Sequence, residues 1–278
     1  MNQLVWLASY PKSGNTWYRI FLTNLIENRD TPADINDLLK TSIASNRQEF
    51  DELVGLDSCD LLPDEIESLR AEVYQHWTEN VNGTEFHKIH DAYTFLPNGK
   101  PFICNSAKVK VIYIIRNPLD VAVSFANHSG KEIDFMIKKM RDAEYSLAQC
   151  DKRLNNQFEQ KLLSWSEHVV SWVELSGMNL HIMKYEDIKK NTFKIFKDSI
   201  KFLELDYTDE QISKAIEFSR FDVLKQQEEN NGFNERHNKC KTFFRRGESG
   251  SWHEELTEAQ IARICSDHRD VMRRFGYI

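Results

Sequence analysis

Three groups of basic and small polar residues stand out in a chain of 278 residues whose formal net charge is −7. The first is Lys12-Ser13-Gly14-Asn15-Thr16, the second is Arg116 followed by Asn117 and Pro118, and the third is Arg245-Arg246-Gly247. Lysine supplies a compact charge and arginine a flat, two-pronged donor, while glycine lets backbone N–H groups come close to a ligand. Phosphate and sulfate sites are built from these parts. In a chain of negative net charge, an anionic ligand has to be held by such local clusters, and nucleic acid is not an expected partner.

The loop at residues 10–15 falls between an expected buried strand at 4–9 and an expected helix at 16–27. That placement aims free N–H groups and the positive end of the helix at a ligand. The loop departs from the G-x-x-x-x-G-K-[ST] pattern of nucleoside triphosphatases, because Lys12 precedes Gly14 and the first glycine is missing. No strand ends in an evident magnesium-binding aspartate; the best candidate, 109–115, runs into Arg116. A nucleotide or small-molecule kinase using ATP is therefore the weaker reading. Taken singly, each basic group also has a plain structural role open to it. Pro-Lys-Ser-Gly suits an ordinary turn, Arg116 can pair with Asp120, and adjacent arginines are more often a solvated face.

In residues 86–90, Phe-His-Lys-Ile-His, strand alternation puts Phe86, Lys88 and His90 on one face and His87 and Ile89 on the other. A neutral imidazole accepts a proton near physiological pH. His90 is the candidate general base and His87 its rival; capping of a loop is the alternative role for His90. The remaining histidines (76, 128, 168, 181, 237, 253 and 268) form no H-x-x-x-H or H-E-x-x-H pattern, so no metal is assigned. Five scattered cysteines without a C-x-x-C pair argue against a disulfide framework and for a reducing compartment.

The wider string Ala8-Ser-Tyr-Pro-Lys-Ser-Gly-Asn-Thr-Trp17 resembles the 5′-phosphosulfate loop of the cytosolic-type sulfotransferase family, whose sulfuryl donor is 3′-phosphoadenosine-5′-phosphosulfate (PAPS) and whose product is PAP. Val111 to Ser124 is similar to that family's 3′-phosphate motif. Phe243-Phe-Arg-Arg-Gly-Glu-Ser-Gly-Ser-Trp252 resembles its third signature, with Ser251 where an aspartate is usual. The Gly-Asn-Thr-Trp form, with Asn15 where many animal members carry threonine, resembles that of bacterial members. The resemblance implies that Lys12, Ser13, Gly14, Asn15, Thr16 and Trp17 hold the 5′ end of the donor. Arg116, Ser124, Arg245, Arg246 and Gly247 would hold its 3′-phosphate, and Trp17 and Phe221 would flank the adenine with Tyr185 and Ser219 nearby. Lys88-x-His90 resembles the segment carrying the family's base; Lys12 and Lys88 would then stabilise transferring charge, with Ser124 positioning Lys12. Trp165-x-x-His168-Val169-x-x-Trp172 is similar to a family helix whose spacing makes an apolar face, and a structural role is expected for it.

The reaction so implied is in-line transfer of a sulfuryl group to a hydroxyl or amine of a small molecule or glycoconjugate, with a histidine base and no metal. A silent PAP-binding protein is the other alternative, and retention of both Lys12 and His90 argues against it. Acceptor pockets are expected from 93–97, 128–153 and 226–242, and the charge of the middle segment favours a polar or bulky acceptor. The family's K-x-x-x-T-V-x-x-x-E dimer motif keeps only Thr257 in the matching stretch, which leaves monomer or homodimer open.

To position these groups, strands at 86–90, 109–115 and 180–184 are expected besides 4–9. Helices are expected at 118–127, 131–154, 162–175, 192–203, 209–218 and 257–274. Alternating strands and helices imply an α/β fold, three layers about a mostly parallel sheet, P-loop-like as in sulfotransferases. One domain over 1–278 is expected, with a helical acceptor lid around 128–160 and a mobile polar loop around 226–242. Apolar residues at 41% suit a sizeable core. No apolar run nears the ~20 residues of a membrane span, and no signal peptide is evident, so a cytoplasmic location is expected.

Overall fold

The computed structural model of the chain describes residues 2–38, 40–149 and 155–278. Among these described residues seven strands follow in chain order: β1 (Gln3–Ser9), β2 (Thr41–Ile43), β3 (Thr84–Ile89), β4 (Val109–Ile115), β5 (Ser146–Leu147), β6 (Gln160–Lys161) and β7 (Asn179–Lys184). Five of them form one sheet in the order β2-β3-β1-β4-β7, while β5 and β6 make a separate antiparallel pair. β1 and β3 run parallel, with Ala8 opposite Ile89 at the end of their ladder. The five-stranded sheet is mostly parallel and helices occupy its connections, which is the expected α/β class. Every residue of β1 and β4 is buried, as continuous apolar runs require in strands covered on both faces.

The chain divides into two compact units, each assembled from three separated segments. The first comprises residues 1–10, 42–113 and 142–180. Its core packs Trp6 edge-on to Tyr74 at 5.1 Å, and Tyr74 against Phe102 at 5.4 Å. Helix Pro63–Asn80 carries Tyr74 and also brings Arg70 into the interior. There Arg70 donates to Asp91 at 3.1 Å, to the Tyr74 hydroxyl at 2.8 Å and to the Glu159 carbonyl at 2.9 Å. A buried guanidinium is tolerated only with such a set of acceptors.

The second unit comprises residues 11–41, 114–141 and 181–278. Tyr18, Phe21 and Phe196 form a tight ring cluster, with Phe21 and Phe196 centroids 4.3 Å apart. Helix Asn15–Glu27 presents the first two rings, and helix Thr192–Phe202 presents the third. Tyr18 also shares a 2.8 Å hydrogen bond with Ser199, so the hydroxyl is buried without loss.

Several expected boundaries move. Of the helix expected over 131–154, the described residues form Ile133–Arg141, followed by turns and β5. The buried stripe of Met136, Ile137 and Met140 ends there, and among the described residues 142–149 no helical turn continues it. Residues 150–154 of that expected helix and of the acceptor segments lie outside the described residues. The expected helix at 162–175 is α only over Trp165–Val170 and widens to a π-turn over Ser171–Leu175. The last helix breaks at His268 into Glu258–Asp267 and Arg269–Arg274. The polar loop expected over 226–242 begins as helix, Phe221–Asn231, because Leu224 and Glu228 face inward and no breaker occurs before Gly232. Beyond it, Asn234 donates its N–H to Asn36 at 2.7 Å and Glu235 pairs with Arg19 at 2.6 Å.

Cys59, Cys104, Cys240 and Cys265 are unpaired thiols; Cys150 lies outside the described residues. Among the described residues no helix is long and apolar enough to cross a membrane.

Candidate functional site

All the residues expected to hold the donor fall in the second unit. β1 stops at Ser9 and helix Asn15–Glu27 starts six residues later, so residues 10–14 make the turn. Lys12 (φ 68°) and Gly14 (φ 109°) adopt left-handed backbone on either side of Ser13. Alternation of this kind turns successive N–H groups to one side, the concave arrangement that holds anions. A Cβ on residue 14 would stand 2.7 Å from Cδ2 of Tyr185, so glycine is what admits Tyr185 against the loop. The Ser13 hydroxyl is buried and makes no hydrogen bond, which leaves a donor for a ligand oxygen to satisfy.

β4 delivers Arg116 to the same loop. Its Nη1 donates to the Lys12 carbonyl at 3.1 Å and its Nη2 to the Glu248 carbonyl at 2.9 Å, while Nε is buried without a partner. The guanidinium lies over the Tyr185 ring at 4.3 Å. Asp120, the other partner weighed for Arg116, accepts instead from Gly250 N–H at 2.8 Å and from the Ser251 hydroxyl and Trp252 N–H at 3.2 Å each. The serine at 251 thus leaves the third loop pinned, with the carboxylate supplied from helix Pro118–Ser129. Ser124 lies half-buried on that helix. The Asn117 N–H donates to Glu186 at 2.9 Å, which ties the end of β4 to the segment bearing Tyr185.

The pair expected to flank the adenine shares one apolar base. Trp17 and Phe221 both pack on the buried cluster of Ile20, Leu38, Leu224, Phe233 and Phe244. Trp17 Nε1 donates to the Ser219 carbonyl at 2.9 Å, while the Ser219 hydroxyl is spent on Ala215. Gly247 (φ 64°) rests on Phe221, where an added Cβ would come within 2.2 Å of the ring.

Arg245 and Arg246, expected at the 3′-phosphate, each pair with a carboxylate. Arg245 forks onto Glu255 with bonds of 3.0 and 2.9 Å, and Arg246 donates to Glu254 at 2.8 Å. Both acids belong to the short helix Trp252–Glu255.

Three contributors escaped the sequence reading. Lys189 stands 5.2 Å over the Trp17 ring; burial pulls its ammonium below the ordinary lysine range, Glu248 opposes that fall and Arg116 adds to it. Its position four residues after Tyr185 on one short helix was the available signal. Phe243 lies under the Lys12 ammonium at 3.8 Å. Glu228 accepts the Phe243 and Phe244 N–H groups at 2.7 and 2.9 Å, so a buried carboxylate shapes the approach to Arg245. Its signal was an acid on the inward face of an amphipathic pattern.

Lys88 and His90 belong to the first unit. His90 is the first residue beyond the β1–β3 ladder, and its Nδ1 donates to the Ser9 carbonyl at 2.7 Å. That tautomer leaves the lone pair on Nε2, as a base needs. The chain continues from Ser9 directly into the Lys12 loop. Lys88 is half-buried on β3. His87, the rival, is stacked on Trp77 at 4.3 Å with its Nδ1 2.9 Å from the Ser42 hydroxyl, buried in packing.

Residues 2–276 match the family model described as the sulfotransferase domain. The chain is 25% identical to an amine sulfotransferase of Oryctolagus cuniculus over 98% of this chain and 81% of that protein. It is 24% identical to a luciferin sulfotransferase of Photinus pyralis over 93% and 68%. A mouse sulfotransferase crystallised with PAP shares the fold at a TM-score of 0.61 and 22% identity, covering 99% of this chain and 88% of that one.

Proposed function

Because the chain belongs to the sulfotransferase domain family, we propose that it moves a sulfuryl group from PAPS to the hydroxyl or amine of a small-molecule or glycoconjugate acceptor. The observation that carries this reading is Arg116, drawn between the Lys12 carbonyl and the Glu248 carbonyl with its Nε unpartnered beside a loop whose Ser13 hydroxyl is also unpartnered. Two buried donors without acceptors, next to a lysine and an anion-holding turn, fit a ligand carrying phosphate oxygens.

In the proposed reaction the acceptor oxygen or nitrogen attacks sulfur, and the bond from sulfur to the 5′-phosphate oxygen breaks with its electron pair leaving on PAP. His90 Nε2 takes the acceptor proton. Lys12 and Lys88 offset charge on the transferring group and the leaving phosphate, and Ser124 positions Lys12. Trp17 and Phe221 clamp the adenine, with Tyr185 and Ser219 beside them. Ser13, Gly14, Asn15 and Thr16 supply N–H and hydroxyl donors to the 5′ end; Arg116 and the Gly247 loop with Arg245 and Arg246 serve the 3′-phosphate. A single functional domain and a cytoplasmic location go with this reading. The relatives named for an amine and for luciferin support a small organic acceptor.

Isothermal titration with PAP beside ATP and magnesium tests the donor. Expected are PAP binding that collapses in Arg116→Ala and negligible ATP binding. Preference for ATP, or indifference to the 3′-phosphate, would return the chain to kinase chemistry. His90→Ala should abolish turnover and leave PAP affinity within a few-fold; retained turnover would remove His90 as the base.

A further inference from the structure

His90 begins where the sheet stops. The paired register of β1 and β3 ends at Ala8 and Ile89, and the chain bends at Asp91. The ladder therefore does not fix the backbone of the residue that must hold an imidazole in one orientation. The helix Trp165–Val170 and its π-turn Ser171–Leu175 fix it instead. His168 Nε2 donates to the His90 carbonyl at 3.0 Å, and Trp172 Nε1 donates to the Asp91 carbonyl at 3.1 Å. Between them, the Ser171 hydroxyl oxygen accepts the Tyr93 N–H at 3.0 Å and donates back to the His168 carbonyl at 2.8 Å. Side chains four apart on a helix lie one above the other, which is how two of them reach consecutive carbonyls of a bending segment. A π-turn widens the helix where it occurs and is frequent at functional positions.

His168 is itself held. It is fully buried, its Nδ1 accepts from the Tyr113 hydroxyl of β4 at 2.8 Å, and Tyr10 meets its ring edge-on at 5.4 Å. Both ring nitrogens are thus committed, one accepting and one donating, which requires the neutral form. Burial favours that form, pushing the His168 pKa down to about 4. All of these groups lie in the first unit.

We propose that His168 and Trp172 are positioning residues for the reaction, a backbone clamp that holds His90 so that its Nδ1–H stays on the Ser9 carbonyl and Nε2 faces its task with the lone pair. The spacing Trp165-x-x-His168-Val169-x-x-Trp172 then has a purpose beyond an apolar face. The proposal rests on the reading of His90 as the base.

The test compares His168→Leu, His168→Gln and Trp172→Phe for kcat, KM and PAP affinity, with 15N imidazole spectra of His90 in each. Glutamine keeps an N–H for the His90 carbonyl and an oxygen for Tyr113; leucine keeps neither. Expected for His168→Leu is a kcat reduced by about 100-fold, the scale of a small misplacement of a reacting group, with KM and PAP affinity little changed. His168→Gln should recover most of that loss, and Trp172→Phe should show a milder fall in kcat alone. The spectra should report the Nδ1–H tautomer in the parent and His168→Gln, and a mixture in His168→Leu. Should leucine prevent folding, Trp172→Phe against the parent decides by the same readouts. An unchanged His90 tautomer and unchanged kcat in His168→Leu or Trp172→Phe would overturn the clamp. If His90→Ala keeps its turnover, the base reading falls, while the tautomer of His90 still decides whether the clamp exists.

Discussion

A guanidinium at position 116 reaches two backbone carbonyls and keeps Nε for a third acceptor; an ammonium cannot span that geometry. Arg116→Lys, which preserves the charge, should therefore still lose PAP affinity by about 10-fold or more in titration, the cost of roughly one charge-assisted hydrogen bond. Affinity equal to the parent would mean that charge alone matters there. The arginines of the third loop make the opposite kind of case. Arg245 is engaged by Glu255 at 2.9 Å, so a phosphate has to compete with a carboxylate for it. Glu255→Gln should tighten PAP binding several-fold, and unchanged affinity would show that Arg245 stays with helix Trp252–Glu255. The identity of the basic residues was legible in the sequence because their loop strings are distinctive. Their present partners were not, since Glu254 and Glu255 are ordinary exposed-looking acids until the short helix folds them back. Ser251 was a visible departure, whereas its resolution through Asp120 needed the contact of two segments about 130 residues apart.

At the scale of elements, strands and the helices that follow them were readable where apolar runs are continuous, as in β1 and β4, or end at Pro118. Helix Pro63–Asn80 was not foreseen, because its inward face carries Arg70, Tyr74 and Thr78 besides Val73, which gives no clean apolar period. What it contributes is nonetheless large. Arg70→Met would strand the buried Asp91 carboxylate, whose pKa burial already pushes up against the pull of Arg70. Removal of one member of a buried pair costs about 3–5 kcal/mol, to be read as a lower denaturant midpoint. Helix Trp165–Val170 makes a pH-dependent contribution. The His168 pKa is depressed to about 4 in the folded chain against roughly 6.5 when unfolded. As pH falls below the unfolded value, the unfolded chain takes up the proton first. The stabilisation is therefore complete above about pH 6.5 and is lost as pH drops toward 4, by about 3 kcal/mol over the window. Denaturant unfolding from pH 7 to pH 5 should show the parent losing about 2 kcal/mol more than His168→Gln. Equal pH slopes in the two proteins would show that His168 is not buried in the neutral form.

At the scale of the molecule, the residues proposed to hold the donor lie in one compact unit and His90 in the other, yet neither unit is a continuous stretch of chain. Each is made of three segments, and β4 and β7 run from one unit into the next without a linker. Unfolding one unit alone would have to pull strands apart in their middle, so the covalent arrangement favours a single cooperative transition. A ligand that binds only the folded second unit should then stabilise the whole chain. At PAP concentrations about 100 times its dissociation constant the gain is about 2.7 kcal/mol. Calorimetry should accordingly show one transition, without PAP and with it, whose midpoint rises as PAP is added and stays fixed in Arg116→Ala. Two transitions, with only one of them moved by PAP, would mean that the units unfold independently. The base and the donor site would then be parts of separately folding bodies, and single-domain action over residues 1–278 would have to be given up. One transition that PAP moves in the parent but not in Arg116→Ala would instead tie the stability of the segment bearing His90 to a phosphate held by Arg116.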